Sequence, residues 1–341
     1  MAVRIGINGA GRIGRNLWRI VHTGAPDLEV VAVNDTANVS TIANLLRHDS
    51  IRGRFPGTVE ARASTSGDAI VVDGVPVPLT HEPVPDRIDW GRHDVDVVIE
   101  ATGEFTEGPA VRGHLRSGAP IVIVSTATPD ADLCVMVGIN EHMLDPTRHR
   151  VISNCCCTTY CIGLMISPLH HAYGVLSATA SIAYSHGSRP GPPLDGVYHL
   201  RRLTRANAIN LVPAGVPGVR LALDQVLPEL AGRIAATAYR TPVRAVSAAT
   251  LTLRLRQRVD ADEINQTLEH AATSLLKGYL DVAPDPLVSS DVIGYAESCV
   301  VDAGLTTSLG DLVRVVGWYD NEWGYAHRLL DLARLAVNHT Q

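Results

Sequence analysis

The chain opens with a short, dense apolar run. Val3-Arg4-Ile5-Gly6-Ile7-Asn8 reads as a strand, a glycine-rich break follows, and Leu17, Ile20 and Val21 then recur at helical spacing. Leu28 to Asn34 is a second strand. Further short apolar strands are predicted at Val95–Glu100, Pro120–Ser125 and Cys134–Val137, with a helical pattern near Pro109–Leu115. Strands alternating with helices in this way build a doubly wound parallel sheet. The pattern changes after the apolar pair Val151-Ile152. An apolar helix follows, and then Leu176–Ser185 and Ala245–Gln257 form long strand-like stretches rich in Ala, Ser, Thr and Val. Asp260–Leu276 predicts a helix, Leu312–Trp318 a strand, and Tyr325–Val337 a terminal amphipathic helix with Leu329, Leu332 and Leu335 on its apolar side. The second half is therefore α+β, with long antiparallel strands. Between its first two long strands runs an irregular stretch, 187–209, with Pro190, Pro192, Pro193 and the basic Arg201, Arg202 and Arg205. A loop of this length in a compact domain is usually functional.

Composition narrows the class. A chain of 341 residues suffices for two domains with ample cores, and 46% hydrophobic residues is the share of an ordinary globular protein. The net charge of −6 makes no electrostatic case for nucleic acid or an anionic membrane as partner. No signal-peptide pattern precedes the first strand and no apolar run reaches membrane-spanning length. Four of the six cysteines fall within Cys155–Cys161, which is not the spacing of a disulfide framework and fits reduced thiols in the cytoplasm.

Two segments carry chemistry. Gly9-Ala10-Gly11-Arg12-Ile13-Gly14 sits between a strand and a helix, the setting of a dinucleotide-binding loop. The first glycine allows the turn, the second lets the backbone approach a pyrophosphate, and the third lets helix and strand pack closely. Asp35 ends the second strand about 20 residues beyond the loop, where a carboxylate holds ribose hydroxyls and repels a 2′-phosphate, so NAD is the expected cofactor. Thr102 and Ser125 follow two further strand ends on the ligand side of such a sheet. The second segment is Ser153-Asn154-Cys155-Cys156-Cys157-Thr158-Thr159-Tyr160-Cys161. A cysteine at a strand-to-helix junction is predicted to favour its thiolate, the nucleophilic form, because the helix dipole is positive there. Adjacent cysteines do not supply the spaced pairs that zinc requires, and His170 and His171, as neighbours on a helix, point apart, so no metal site is predicted.

These segments, with Asp49-Ser50-Ile51-Arg52-Gly53-Arg54-Phe55, Val226-Leu227-Pro228-Glu229-Leu230 and Trp318-Tyr319-Asp320-Asn321-Glu322-Trp323-Gly324-Tyr325, resemble the glyceraldehyde-3-phosphate dehydrogenase family nearly end to end. The resemblance implies a Rossmann-type NAD-binding domain over 1–154 and 323–341 and a catalytic domain over 155–322. It implies an NAD-dependent oxidation of an aldehyde through a hemithioacetal and an acyl thioester on Cys157. Arg12 and Ile13 lie with the cofactor loop, and Asn321 matches the asparagine that fixes the nicotinamide carboxamide. Thr158, Arg202 and Arg240 match residues around the substrate phosphate and the attacking phosphate. A homotetramer is implied, with 187–209 at its interface.

The departures are as informative. Counting without gaps from Cys157 puts Tyr184 where the family has its general-base histidine and His186 where it has a tyrosine. A phenol with a pKa near ~10 is a weak base at neutral pH. Gly187 replaces a phosphate-binding threonine, Val216-Pro217 a threonine-glycine pair, Cys156 a serine, and Tyr160 an asparagine. Cys155 and Cys156 are therefore expected in the pocket wall, and Tyr160 as an aromatic beside the nucleophile. Pro217 has no N–H to give an anion. Two other outcomes stay open for such a site: acyl-thioester chemistry on Cys157 without net hydride transfer, and a silent NAD-binding scaffold. Pro168 is expected to kink the helix after Cys157, and Cys134 and Cys299 are expected in the core.

Overall fold

A computed structural model describes residues 2–65, 67–185, 201–206 and 209–338. The chain forms two compact units. One comprises Met1–Val137, Glu141–Asn154 and Ala326–Gln341, the other Gly138–Asn140 and Cys155–Tyr325.

In the first unit β1 (Val3–Asn8) is central. It pairs in parallel with β2 (Leu28–Asn34) on one side and with Val97–Glu100 on the other. Val122–Val124 and Val151–Ser153 extend the sheet in parallel beyond Val97–Glu100. These strands are buried runs of Val and Ile because helices cover both faces of a parallel sheet. α1 (Arg12–Gly24) links β1 to β2 and buries Leu17, Trp18 and Ile20. After β2 the chain returns to the far side of β1, so the strand order reverses there. The loops leaving β1 and Val97–Glu100 meet at that switch point, where Ala101 N–H donates to the Asn8 carbonyl at 2.8 Å. Ligands of open α/β sheets bind at this place.

Several boundaries differ from expectation. The crossover near Pro109–Leu115 is two single turns, Gly108–Val111 and Gly113–Arg116, interrupted at Arg112. Gly113 packs so closely that a Cβ there would lie 2.6 Å from Asp86 Oδ2. Cys134–Val137 contributes only Leu133–Cys134 to the sheet. Beyond β2 lie three strands the pattern did not announce: Val75–Thr80 in parallel, then Asp68–Val72 and Val59–Arg62 in antiparallel order. Pro76 and Pro78 hid the first of them, since proline reads as a strand breaker.

The second unit is built on four long strands. Val175–Tyr184 pairs in parallel with Ile234–Arg240 and antiparallel with Ser247–Leu255, which pairs antiparallel with Leu312–Tyr319. Alternation puts Ala178, Ala180 and Ile182 on the buried side, with Ala249, Leu251, Leu253, Val313 and Val315. The helix Cys157–Tyr173 packs on this sheet and is buried on nearly all sides, Thr158 to Ser167 without interruption. It continues through Pro168 and ends at Gly174, whose φ of +70° suits a glycine. Tyr184 has the parity of Ile182, and strand pairing sets it opposite Arg240.

Candidate functional site

The dinucleotide loop can be tested sterically. Gly9 has φ +98°, and a Cβ there would lie 2.8 Å from the Thr102 amide nitrogen. A Cβ on Gly14 would sit 2.1 Å from the Gly9 carbonyl oxygen. Both positions exclude any side chain. Gly11 is different: a Cβ would meet nothing within 4 Å. That glycine relieves no internal clash, so its bare backbone lies open to a ligand at the start of α1. Arg12 and Ile13 follow it, both half-buried. Asp35 is anchored beside the loop, accepting from the Ala10 N–H at 2.7 Å and the Ala37 N–H at 2.9 Å. Loop, helix start and carboxylate fit a dinucleotide.

Beneath the loop lies a buried polar cluster that sequence inspection missed. Glu100 accepts from Asn8 Nδ2 at 2.5 Å, His114 Nε2 at 3.0 Å, the Thr102 N–H at 2.8 Å and the Thr102 hydroxyl. Trp90 Nε1 donates to His114 Nδ1 at 2.9 Å. An indole N–H can only donate, so Nδ1 is the acceptor and the ring proton sits on Nε2, facing Glu100. Asn34 Nδ2 donates to Asn8 Oδ1 at 2.8 Å and closes the set. The cluster carries the exposed Thr102 backbone on a fixed carboxylate. Ser125 joins through its backbone, its N–H on the Glu100 carbonyl at 3.0 Å. Asn8 and Glu100, polar residues ending apolar strands, were the available signal.

The candidate nucleophile lies in the second unit. Cys155 holds φ +54°, a left-handed conformation rare for a side chain with a Cβ. Cys156 then caps the helix from an extended conformation, and Cys157 is its first residue. Strained backbone of this kind gathers at functional sites. Cys157 is half-buried, and its Sγ lies 3.4 Å from the Tyr184 hydroxyl. Thr158 is buried, with its hydroxyl 2.8 Å from that of Tyr319. Cys156 Sγ lies 2.9 Å from Thr159 Oγ1.

Three expectations are corrected here. The helix start does not make Cys157 a ready thiolate. Burial pushes its thiol up to about 12, Cys156 adds to the rise, and hydrogen bonds from Tyr184 and Thr158 offset only part of it. Tyr160 adds no accessible aromatic beside Cys157: it is fully buried, edge-on to Tyr325 with ring centroids 6.4 Å apart. Cys155 is likewise fully buried, its carbonyl accepting from the Tyr325 hydroxyl at 3.3 Å.

Among the remaining candidates, Arg240 is half-buried beside Tyr184, and Arg202 is exposed on the single turn Arg201–Thr204. Pro217 opens the helix Pro217–Val226. His186, and residues 187–200 of the irregular stretch, lie outside the described residues. His170 Nδ1 receives the Val175 N–H at 3.0 Å, and His171 Nδ1 lies 2.7 Å from the Ser167 carbonyl, so each ring serves its own helix end. All six cysteines are free thiols, with Cys134 and Cys299 buried. Asn321 is buried, its Oδ1 receiving the Ser185 hydroxyl at 2.8 Å.

Comparison with known proteins decides the family. Residues 3–108 match the NAD binding domain of glyceraldehyde 3-phosphate dehydrogenase, and residues 156–321 match its C-terminal domain. The chain belongs to the glyceraldehyde 3-phosphate dehydrogenase family. It is 43% identical over 335 residues to glyceraldehyde-3-phosphate dehydrogenase 2 of Streptomyces arenae, covering 98% of both chains. It is 40% identical over 334 residues to the enzyme of that name from Geobacillus stearothermophilus and 38% identical to glyceraldehyde-3-phosphate dehydrogenase 1 of Bacillus subtilis, again with 98% of each covered. The family is one of NAD-dependent oxidoreductases, and the α/β architecture, a parallel-rich sheet and a mostly antiparallel one, is the expected one. Among the described residues no helix is long and apolar enough to cross a membrane.

Proposed function

We propose that this family member oxidises glyceraldehyde 3-phosphate or a related aldehyde with NAD, using Cys157 as nucleophile. The observation that carries the reading is the thiol at the first residue of a long buried helix, 3.4 Å from the Tyr184 hydroxyl. Cys157 adds to the aldehyde carbon as a thiolate, its proton passing to His186 or to Tyr184, whose hydroxyl releases its own proton in the same step. The backbone N–H groups of Cys157 and Thr158 stabilise the oxyanion at the helix start. NAD, when bound, supplies the hydride acceptor. Gly9, Gly11, Arg12, Ile13, Gly14, Asp35, Thr102 and Ser125 hold it, and Asn321 holds its carboxamide. The acyl group is left as a thioester on Cys157, to be released by phosphate, water or another nucleophile. Thr158, Arg202 and Arg240 recognise the anionic part of the substrate. Cytoplasmic location and a homotetramer belong to the same proposal. Reduced thiols support the first, and the exposed apolar side chains Leu176, Tyr239 and Leu211 of the second unit support the second.

A second reading is favoured by one observation. Pro217 at a helix start offers no N–H to an anion, so one phosphate position is weakened. Acyl-thioester chemistry on Cys157 without net hydride transfer then becomes the main reaction. Rapid mixing with NAD and an aldehyde panel separates the two. A burst of NADH equal to the enzyme concentration, lost in Cys157→Ser, is the expected result. Acylation of Cys157 without NADH establishes the second reading, and neither signal leaves a silent NAD-binding scaffold.

A further inference from the structure

The Asn321 amide is held by a chain of hydrogen bonds with a definite direction. The Ser185 backbone N–H donates to Ser247 Oγ at 3.0 Å. The Ser247 hydroxyl lies 3.5 Å from Ser185 Oγ and donates to it, and the Ser185 hydroxyl donates to Asn321 Oδ1 at 2.8 Å. Ser247 Oγ accepts from the backbone N–H and gives its one proton to Ser185 Oγ, which gives its own to the Asn321 oxygen. The end of the relay receives a proton, so the oxygen of the amide is the engaged atom. All three side chains are buried, Ser185 and Ser247 to 1% exposure and Asn321 to 4%. A buried relay of this kind leaves each group one acceptable orientation.

A second observation concerns the backbone that carries Ser247. Val246, the residue before it, has φ +67°. A β-branched residue in that region is a true outlier, and such strain persists only where the surroundings over-determine it. Val246 is pinned in a small core with Val292 and Val300. The strained residue therefore fixes where strand Ser247–Leu255 begins and where the Ser247 hydroxyl stands.

We propose that Ser185, backed by Ser247 and the strained Val246, is a positioning residue that presents Asn321 as a hydrogen-bond donor to the nicotinamide carboxamide oxygen. The proposal rests on the assignment of Asn321 to the carboxamide. Without Ser185 the amide oxygen loses the donor that marks its orientation, and an amide turned over puts its oxygen toward the carbonyl it should receive.

Equilibrium titration of the full-length protein with NAD and with ADP-ribose, which lacks the nicotinamide, tests this without turnover. Ser185→Ala should weaken NAD about five- to tenfold, the worth of one hydrogen bond, and leave ADP-ribose unchanged. Ser247→Ala should shift NAD in the same direction by a smaller factor, and it stands in if Ser185→Ala does not fold. Unchanged NAD affinity in both serine variants, or equal loss for both ligands, overturns the proposal. Asn321→Ala is the control for the underlying assignment. If it too spares NAD, that assignment fails. If it weakens NAD alone while the serine variants do not, only the positioning role fails.

Discussion

Glu100 and Cys157 are both acidic groups taken largely out of water, and they are treated in opposite ways. Glu100 receives four hydrogen bonds, from Asn8, His114 and Thr102, and the imidazole that faces it is turned by Trp90 to present a proton. Cys157 faces a second thiol, a phenol and a threonine, and its proton is held more tightly than in water. The first arrangement engages the carboxyl group with four donors, as a fixed platform for a loop requires. The second keeps the proposed nucleophile neutral, so under the proposed function thiolate formation is a step of the reaction and not a property of the resting site.

Removing the carboxylate gives the largest expected effect. In Glu100→Ala the buried donors of Asn8, His114 and Thr102 lose their common acceptor, and breaking such a site costs about 3–5 kcal/mol. Urea unfolding of the variant should show a lower midpoint at unchanged m-value. A loss below about 1 kcal/mol means that water replaces the carboxylate and that the cluster is no platform.

The thiol is tested by alkylation. Thiolate is the reacting form, so a thiol pushed up to about 12 should react with iodoacetamide about tenfold faster per pH unit between pH 7 and 9, with no plateau. The same shift has a stability side. The neutral thiol is favoured in the folded state, so its contribution is fully present below the unfolded value near ~8.5 and is lost as pH rises toward about 12. A plateau below pH 8 breaks the comparison, because it requires a cation poised beside Cys157. Tyr184→Phe sharpens it: losing the hydrogen bond that lowers the thiol should slow alkylation at every pH.

The two sites were unequally legible in the sequence. Gly9, Gly11, Gly14 and Asp35 could be read because local backbone geometry demands those residues at that spacing, and only the chain itself is needed to state the demand. The position of Cys157 was legible for the same reason. Its protonation was not, because burial comes from strands packed over the helix, and of the side chains that act on the thiol Tyr184 lies 27 residues away. Tyr160 was misread because positions three apart share a helix face, and only packing against Tyr325 shows that its ring is fully buried. Asn8–Glu100–His114 and Ser185–Asn321 join residues far apart in the chain, where no pattern of spacing reveals a contact. The proline-containing strand Val75–Thr80 was lost to a local rule for strands paired along both sides, whereas only its Leu79 and Thr80 pair with β2 and Pro76 and Pro78 lie outside that pairing.

His327 is the exception within the first unit and supplies the smallest effect. Burial is the main reason its imidazole is lowered to about 4; the neighbouring Arg328 and Arg334 lower it further, and Asp331 acts against them. A histidine lowered in the folded state is bound by protons more readily in the unfolded chain. Its contribution is therefore complete above the unfolded value near ~6.5 and is lost as pH falls toward about 4. The thermal midpoint should drop across that window. His93 and His170 are also lowered by burial and share the drop, so the difference between variants isolates one site. His327→Gln, neutral throughout, should remove about 1–2 kcal/mol of the acid-induced loss. Parallel curves for the two proteins would mean that His327 finds water as readily folded as unfolded, and the contrast between Glu100 and Cys157 would then gain a second well-accommodated group in the first unit.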